Sequence, residues 1–273
     1  MKKSGVWGQN IFFTSIVAVS IAFLVGFIAL TISMILIRGG PNLLSSIGTR
    51  EIQFAIRLSF MTSIISTLLC ILVAVPVAYG MSRFKFCGKR FVKTILDIPI
   101  ALPPVVSGVA LLLLFGTTAF GHALAARGLE FVFTTQGIIL AQFFVNVPYM
   151  IKVLQSTIEN VDPRMEFVAR TLGCNRMQSF FKITLPLARN GLMAGIVITW
   201  ARALGEFGAA LMFAGATRFK TETLPVSLFL NMSVGDLKLG LAAATILIII
   251  SVTSLFVFEL MGGHQFEISR QGN

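Results

Sequence analysis

DPRMEFVARTLGCNRMQSFFKITLP, residues 162–186, is the longest polar interruption in an otherwise apolar chain, and its reading decides the fold. Asp162 can cap a helix N-terminus with Pro163 at the first helical position. Phe167, Val168 and Leu172 recur at helical spacing, and Gly173 is placed to end that helix in a left-handed conformation. Asn175 can cap a second short helix carrying Phe180, Phe181 and Ile183, which Pro186 would follow. Arg164, Arg170, Arg176 and Lys182 flank the apolar face of the pair. A structured, basic-rimmed apolar face between two membrane spans reads as a docking surface for a soluble partner.

The composition around this stretch requires lipid. Hydrophobic residues make up 56% of the 273 and charged residues 12%, and mean hydropathy is +0.88. Apolar runs of this length have no place in a soluble core. The net charge of +11 sits in short loops between apolar runs, where the positive-inside rule accounts for it, so nucleic acid is not an expected partner. Cys70, Cys87 and Cys174 are odd in number and scattered, which gives neither a disulfide framework nor metal-ligand spacing. His122 reads as a surface residue. The opening MKKSGVWGQN and the run after it imitate a signal peptide, but the run is too long and is expected to remain as an uncleaved span.

Six spans are expected in an all-α, polytopic single domain over residues 1–273. They are a peripheral first span at 11–37, then 53–81, 98–116, 136–154, 187–214 and 238–261, with the docking loop placed at 155–186. Pro99, Pro103 and Pro104 interrupt the third span, which lipid tolerates only where protein or a cavity receives the freed backbone groups. The loop RFKFCGKRFVK after the second span is the densest basic segment. With it and the 162–186 loop inside, 14 Lys and Arg fall on the inner side against 6 outside, which places both termini in the cytoplasm. An external segment holds the short apolar stretch LPVSLFLNM. No internal repeat of the kind that marks many secondary transporters is present.

The most specific chemistry lies in WARALGEFGAALMFAG. Arg202 and Glu206 fall midway along an apolar span, where charges are costly and face protein, water or one another. At i and i+4 they could pair on one helix face, meet a transported ion, or set gating and helix registry. Gly205, Gly208 and Gly215 permit close packing or a local break. Met212 and Phe213 could close an apolar constriction, or make ordinary lipid and helix contacts.

Two of these segments resemble a known family. Ala169, Gly173, Ile183, Leu185 and Pro186 follow the spacing of the EAA loop of ABC importer permeases, with nine residues between Gly173 and Ile183 and Leu-Pro in place. Phe167 and Val168 stand where that pattern has Glu-Ala, and the acid, Glu166, lies one residue early. Arg202, Leu204, Gly205, Glu206, Phe207, Gly208 and Ala209 are similar to the RxLGEFGA signature of the molybdate, tungstate and sulfate branch. DIPIALPPVVSG at 97–108 and KTETLP at 220–225 resemble the same branch, so the likeness covers about residues 50–262. Phe207 and KTETLP lean toward molybdate or tungstate rather than sulfate.

The resemblance implies a permease subunit in a prokaryotic plasma membrane, whose loop contains the coupling helix docked in a groove of an ATPase. It implies a second copy of the chain, two ATPase subunits and an extracytoplasmic oxyanion-binding protein. No G-x-x-x-x-G-K-[ST] loop occurs, so this chain is expected to bind no cofactor, with ATP and Mg on the partner ATPase. Sulfate or thiosulfate is the alternative cargo. A secondary transporter or channel, or an intramembrane enzyme, are rivals from other classes; the first is disfavoured by the structured loop and the second by the lack of a convergent polar site.

Overall fold

The computed structural model of the protein describes residues 11–262 and the side chains of residues 13–256. Lys2, Lys3, Arg270 and both termini, which entered the charge count, lie outside the described residues. Within them the chain is nearly all helical. Four helices are long and apolar enough to cross a membrane: α1 (Ile11–Gly39), α2 (Arg50–Arg83), α6 (Thr135–Glu159) and α12 (Leu237–Gly262). Two further apolar stretches are bent pairs. One joins α3 (Lys89–Ala101) to α4 (Pro104–Gly116) through a 111° bend. The other joins α8 (Arg176–Leu187) to α9 (Arg189–Leu204) through a 73° bend. Shorter helices are α5 (Ala119–Ala125) between α4 and α6, α7 (Pro163–Thr171) before α8, and α10 (Gly208–Ala214) and α11 (Leu224–Ser233) before α12.

Local chemistry sets these limits. Thr49 and Thr134 cap α2 and α6 by accepting from the amides of Ile52 and Gly137, which satisfies donors that lipid cannot. Pro103 and Pro104 start α4 after α3 has ended at Ala101, so the stretch expected as one span at 98–116 is the end of α3, a bend at 102–103 and a 13-residue helix. The span expected at 187–214 is likewise two helices, α9 and α10, separated at 205–207. The loop expected from residue 155 begins later, because α6 continues to Glu159. LPVSLFLNM, read as an external stretch, is most of α11, where Leu224, Pro225, Val226 and Ser227 are buried.

Packing centres on α2, α6 and α9. Cys70, Ala74 and Ala78 repeat every four residues along α2, and these small side chains bring it close to Met150, Ile151, Leu154 and Ile158 of α6. A second cluster near the other end joins Ile52 and Ala55 of α2 to Leu224, Ala243 and Ile246. The two broken segments meet at glycines. A Cβ on Gly108 of α4 would stand 2.6 Å from the Ala209 carbonyl oxygen, and one on Gly208 would stand 3.0 Å from Pro104 Cβ. By contrast α1 is exposed along nearly its whole length and joins the bundle through its last turns, where Thr245 of α12 donates to the Ile35 carbonyl at 3.5 Å.

Candidate functional site: the 162–186 loop and the break at 205–207

The loop forms as its capping residues dictate. Asp162 Oδ1 accepts from the Arg164 amide at 2.9 Å and Pro163 opens α7. Gly173 follows α7 at φ 95°, a left-handed value that costs a residue with a Cβ about 1 to 2 kcal/mol. Asn175 and Gln178 close a reciprocal capping box at the start of α8, with bonds of 2.8 and 2.9 Å. Along α8 the backbone widens into a π-helical turn over Phe180–Thr184.

What fixes this loop to the bundle is Glu166, only 8% exposed. Its Oε1 accepts from Arg83 Nε at 2.7 Å and from Thr184 Oγ1 at 2.7 Å, and its Oε2 accepts from the Tyr79 hydroxyl at 2.9 Å. Arg83 also donates from Nη2 to the Val161 carbonyl at 2.7 Å. One carboxylate therefore ties α7, α8 and the end of α2 together. Burial raises the Glu166 carboxyl, but the hydrogen bonds from Thr184, Arg83 and Tyr79 and the charge of Arg83 outweigh it and hold the group below its ordinary value. Ala169 is buried beside it, while Phe167, Val168 and Leu172 are 65%, 54% and 81% exposed. On α8, Phe180 turns in to meet the Tyr79 ring at 4.9 Å, Phe181 is half exposed and Ile183 is partly buried. Pro186, expected to follow this helix, lies within it, and the helix runs through Leu187 to the 73° bend. A groove of about 410 Å³ runs between the end of α2 and α8, lined by Val75, Pro76, Tyr79, Phe84 and Phe181.

The second constellation is the break between α9 and α10. Helix α9 ends at Leu204, so Glu206 leaves the helical register and no salt bridge joins it to Arg202. The expected i, i+4 pair is thereby corrected. Glu206 Oε1 instead accepts from the Ala209 amide at 2.9 Å, capping α10. On the other side of the break, Gln142 of α6 donates from Nε2 to the Ala203 carbonyl at 2.8 Å. The Ala209 amide and the Ala203 carbonyl at the break thus find side-chain partners within the protein, as a membrane interior demands. Arg202 is exposed on the chain's surface, its guanidinium carbon 3.7 Å from the Tyr149 ring centroid and its Nε 3.3 Å from Asn146 Oδ1.

The other residues expected at a path or gate fall into two groups. Gly205 is exposed beside Arg202, Gly208 packs on α4, and Phe207 meets Phe229 of α11 with ring centroids 5.6 Å apart. Phe213 is fully buried with Leu111, Ala141, Val145 and Ala209, and Met212 is half-buried. Of the two roles open to it in the sequence, helix contact is the one this packing shows for Phe213. Sequence reasoning missed Tyr79, Arg83, Thr184, Gln142 and Tyr149. Gln142 carried a signal, an amide in an apolar helix, whereas Tyr79 and Thr184 look like ordinary helix residues until the fold brings them to Glu166.

Comparison with known proteins places this geometry. Residues 71–264 match the family described as binding-protein-dependent transport system inner membrane component. The molybdenum transport system permease protein ModB of Mycobacterium tuberculosis is 37% identical over 82% of this chain and 86% of its own. The sulfate transport system permease protein CysW of Synechocystis is 31% identical over 82% of each chain. A bacterial alginate ABC transporter, solved in complex with a periplasmic protein bound to an alginate pentasaccharide, shares the fold at a TM-score of 0.74 and 16% identity, over 93% of this chain and 94% of the other. The chain belongs to the binding-protein-dependent transport inner membrane components, and is a multi-pass permease subunit of an ABC importer in the branch that includes molybdenum and sulfate permeases.

Proposed function

We propose that this permease moves a tetrahedral oxyanion, molybdate or tungstate, into the cell on ATP hydrolysed by a partner subunit. The observation that carries the ATP-driven part of the reading is the 162–186 loop, held to α2 through Glu166 while Phe167, Val168 and Leu172 stay exposed; the likeness to ModB supports the anion. This is an EAA-type coupling loop: a lever whose apolar face needs a cover and whose base cannot flex independently of a membrane helix. Asp162, Ala169, Gly173, Phe180, Ile183, Leu185 and Pro186 shape it, and an ABC ATPase covers it. Nucleotide and Mg belong to that ATPase, since this chain has no phosphate-binding loop of its own.

The complex contains two copies of this chain around a two-fold axis, two ATPases and an external binding protein that delivers the anion. Each copy crosses the bilayer six times, the two bent pairs counting as one span each, with both termini and both basic loops in the cytoplasm. The path runs between the copies past the breaks at 205–207. Arg202 supports this: an exposed guanidinium at mid-membrane is too costly against lipid and calls for a partner or a watered path. Glu206 faces the α10 amides, so its charge is turned from the anion that Arg202 would meet. Gly205, Phe207 and Gly208 set the break's shape.

Sulfate or thiosulfate is the second reading, favoured by the likeness to CysW. The test is to co-purify the permease with its ATPase in nanodiscs. ATP hydrolysis is then measured with binding protein loaded with molybdate, tungstate or sulfate. Stimulation by the first two supports the proposal, stimulation by sulfate alone transfers the assignment, and no ATPase association overturns it.

A further inference from the structure

The 13-residue helix α3 was expected to be mostly loop and the start of a span, yet it turns 111° away from α4 and has no buried residue. At 100° per residue its side chains divide into distinct faces. Leu96 packs into the cluster between α2 and α6, and Asp97 pairs with Lys152 of α6 at 3.3 Å, which fixes the helix against the bundle. On the opposite side Phe91, Ile95 and Ile98, spaced i, i+4 and i+7, are 70%, 48% and 46% exposed. Lys85, just before the helix, and Arg90 and Lys93 within it are exposed and form no ion pair among the described residues.

We infer that α3 is an interfacial helix that inserts Phe91, Ile95 and Ile98 among the acyl chains while Lys85, Arg90 and Lys93 bind anionic phospholipid headgroups. Two observations favour a lipid surface over other occupants. An apolar stripe on one side of a helix whose other side is basic is the composition that binds an anionic bilayer in its plane. The helix is continuous with α4, which enters the membrane directly after the bend, so it lies where bilayer and water meet. Which leaflet this is follows from the orientation proposed above, and the lipid contact itself does not depend on the transported anion.

Each basic side chain near an anionic surface strengthens binding about five-fold, so removing three should weaken it about 100-fold. The permease–ATPase complex is reconstituted in phosphatidylcholine with or without phosphatidylglycerol, and retained phosphatidylglycerol is measured for the native chain and for the K85Q/R90Q/K93Q variant. A nitroxide is placed by Ile95→Cys in a chain with Cys87→Ser and Cys174→Ser, and its collisions with oxygen and with a water-soluble nickel chelate are compared. The expected result is loss of phosphatidylglycerol retention in the charge variant, with assembly intact, and a nitroxide reached by oxygen in preference to nickel. Retention equal to the native chain overturns the inference. So does a nitroxide open to nickel, or one broadened by its counterpart in the second copy, which would show that water or the copy covers this face.

Discussion

Glu166 and Glu206 are both 8% exposed and both carboxylates that an apolar protein must satisfy, and they are satisfied in opposite ways. Glu166 draws its partners from residues far along the chain, Arg83 and Tyr79 of α2 and Thr184 of α8. Glu206 takes a backbone amide three residues on. The loop carboxylate is therefore a tertiary strut, which transmits force between elements, and the membrane carboxylate is a local cap, which permits a helix to break. That division suits a permease: the loop must move with the membrane domain, and the break must remain open without orphaned backbone groups.

The largest effect should come from cutting the strut. Glu166→Leu leaves the Arg83 guanidinium buried without its acid, at a cost of about 3 to 5 kcal/mol for a fully buried pair. Complex yield and melting temperature should fall, and adding Arg83→Met should recover much of the loss. Equal melting of Glu166→Leu and the native complex would reduce Glu166 to a surface charge. Acid should act on the same group. Because the folded carboxyl lies below its ordinary value of 4.5, its stabilising contribution is complete above that value and disappears as pH falls through the lowered one. Loop-to-ATPase association should be flat from neutral pH to about 5 and weaken only in stronger acid.

Next in size is Gly173→Val, at about 1 to 2 kcal/mol or somewhat more for a β-branched side chain. No atom lies within 4 Å of the added Cβ, so the damage is conformational and confined to the end of α7. ATPase coupling should drop while membrane insertion is normal. If insertion failed and the assembled remainder coupled fully, the loop would not be the lever.

A smaller loss separates the cap from the strut. Glu206→Ala removes the acceptor for the Ala209 amide, at about 1 kcal/mol, whereas Glu206→Gln retains an oxygen there and should melt close to the native protein. Arg202→Gln should leave yield unchanged and reduce uptake, and adding Glu206→Gln should not restore it. Restoration in the double variant would revive the ion pair that the break at 205–207 argues against.

The smallest perturbation is chemical labelling. An impermeant maleimide should leave Cys87 and Cys174 untouched in intact cells and reach exposed Cys87 after permeabilisation, with buried Cys70 inert throughout. Labelling of both loops from outside would invert the orientation.

How much of this was legible depends on whether the signal was local. Asp162, Pro163, Gly173 and Asn175 announced the loop's helices, because caps act within four residues; the part of Gln178 in the second cap showed only in the structure. Arg202 and Glu206 looked like a pair because the spacing rule assumes an unbroken helix, and the break depends on Gly205 and Gly208 and on Gln142 from another helix. Residues 98–116 read as one span because hydropathy records length but not direction. Nothing local marks Tyr79 or Thr184 as partners of Glu166, which is a product of the tertiary fold.

The central claim, ATP-driven import of an oxyanion through this subunit, is tested most directly by uptake of radiolabelled molybdate. The complex is reconstituted into proteoliposomes with its ATPase, binding protein is added outside, and ATP with Mg is sealed within. Molybdate accumulating against its gradient only when ATP is enclosed, and not with an ATPase lacking hydrolytic activity, is the predicted result. Uptake of equal rate without ATP would contradict it.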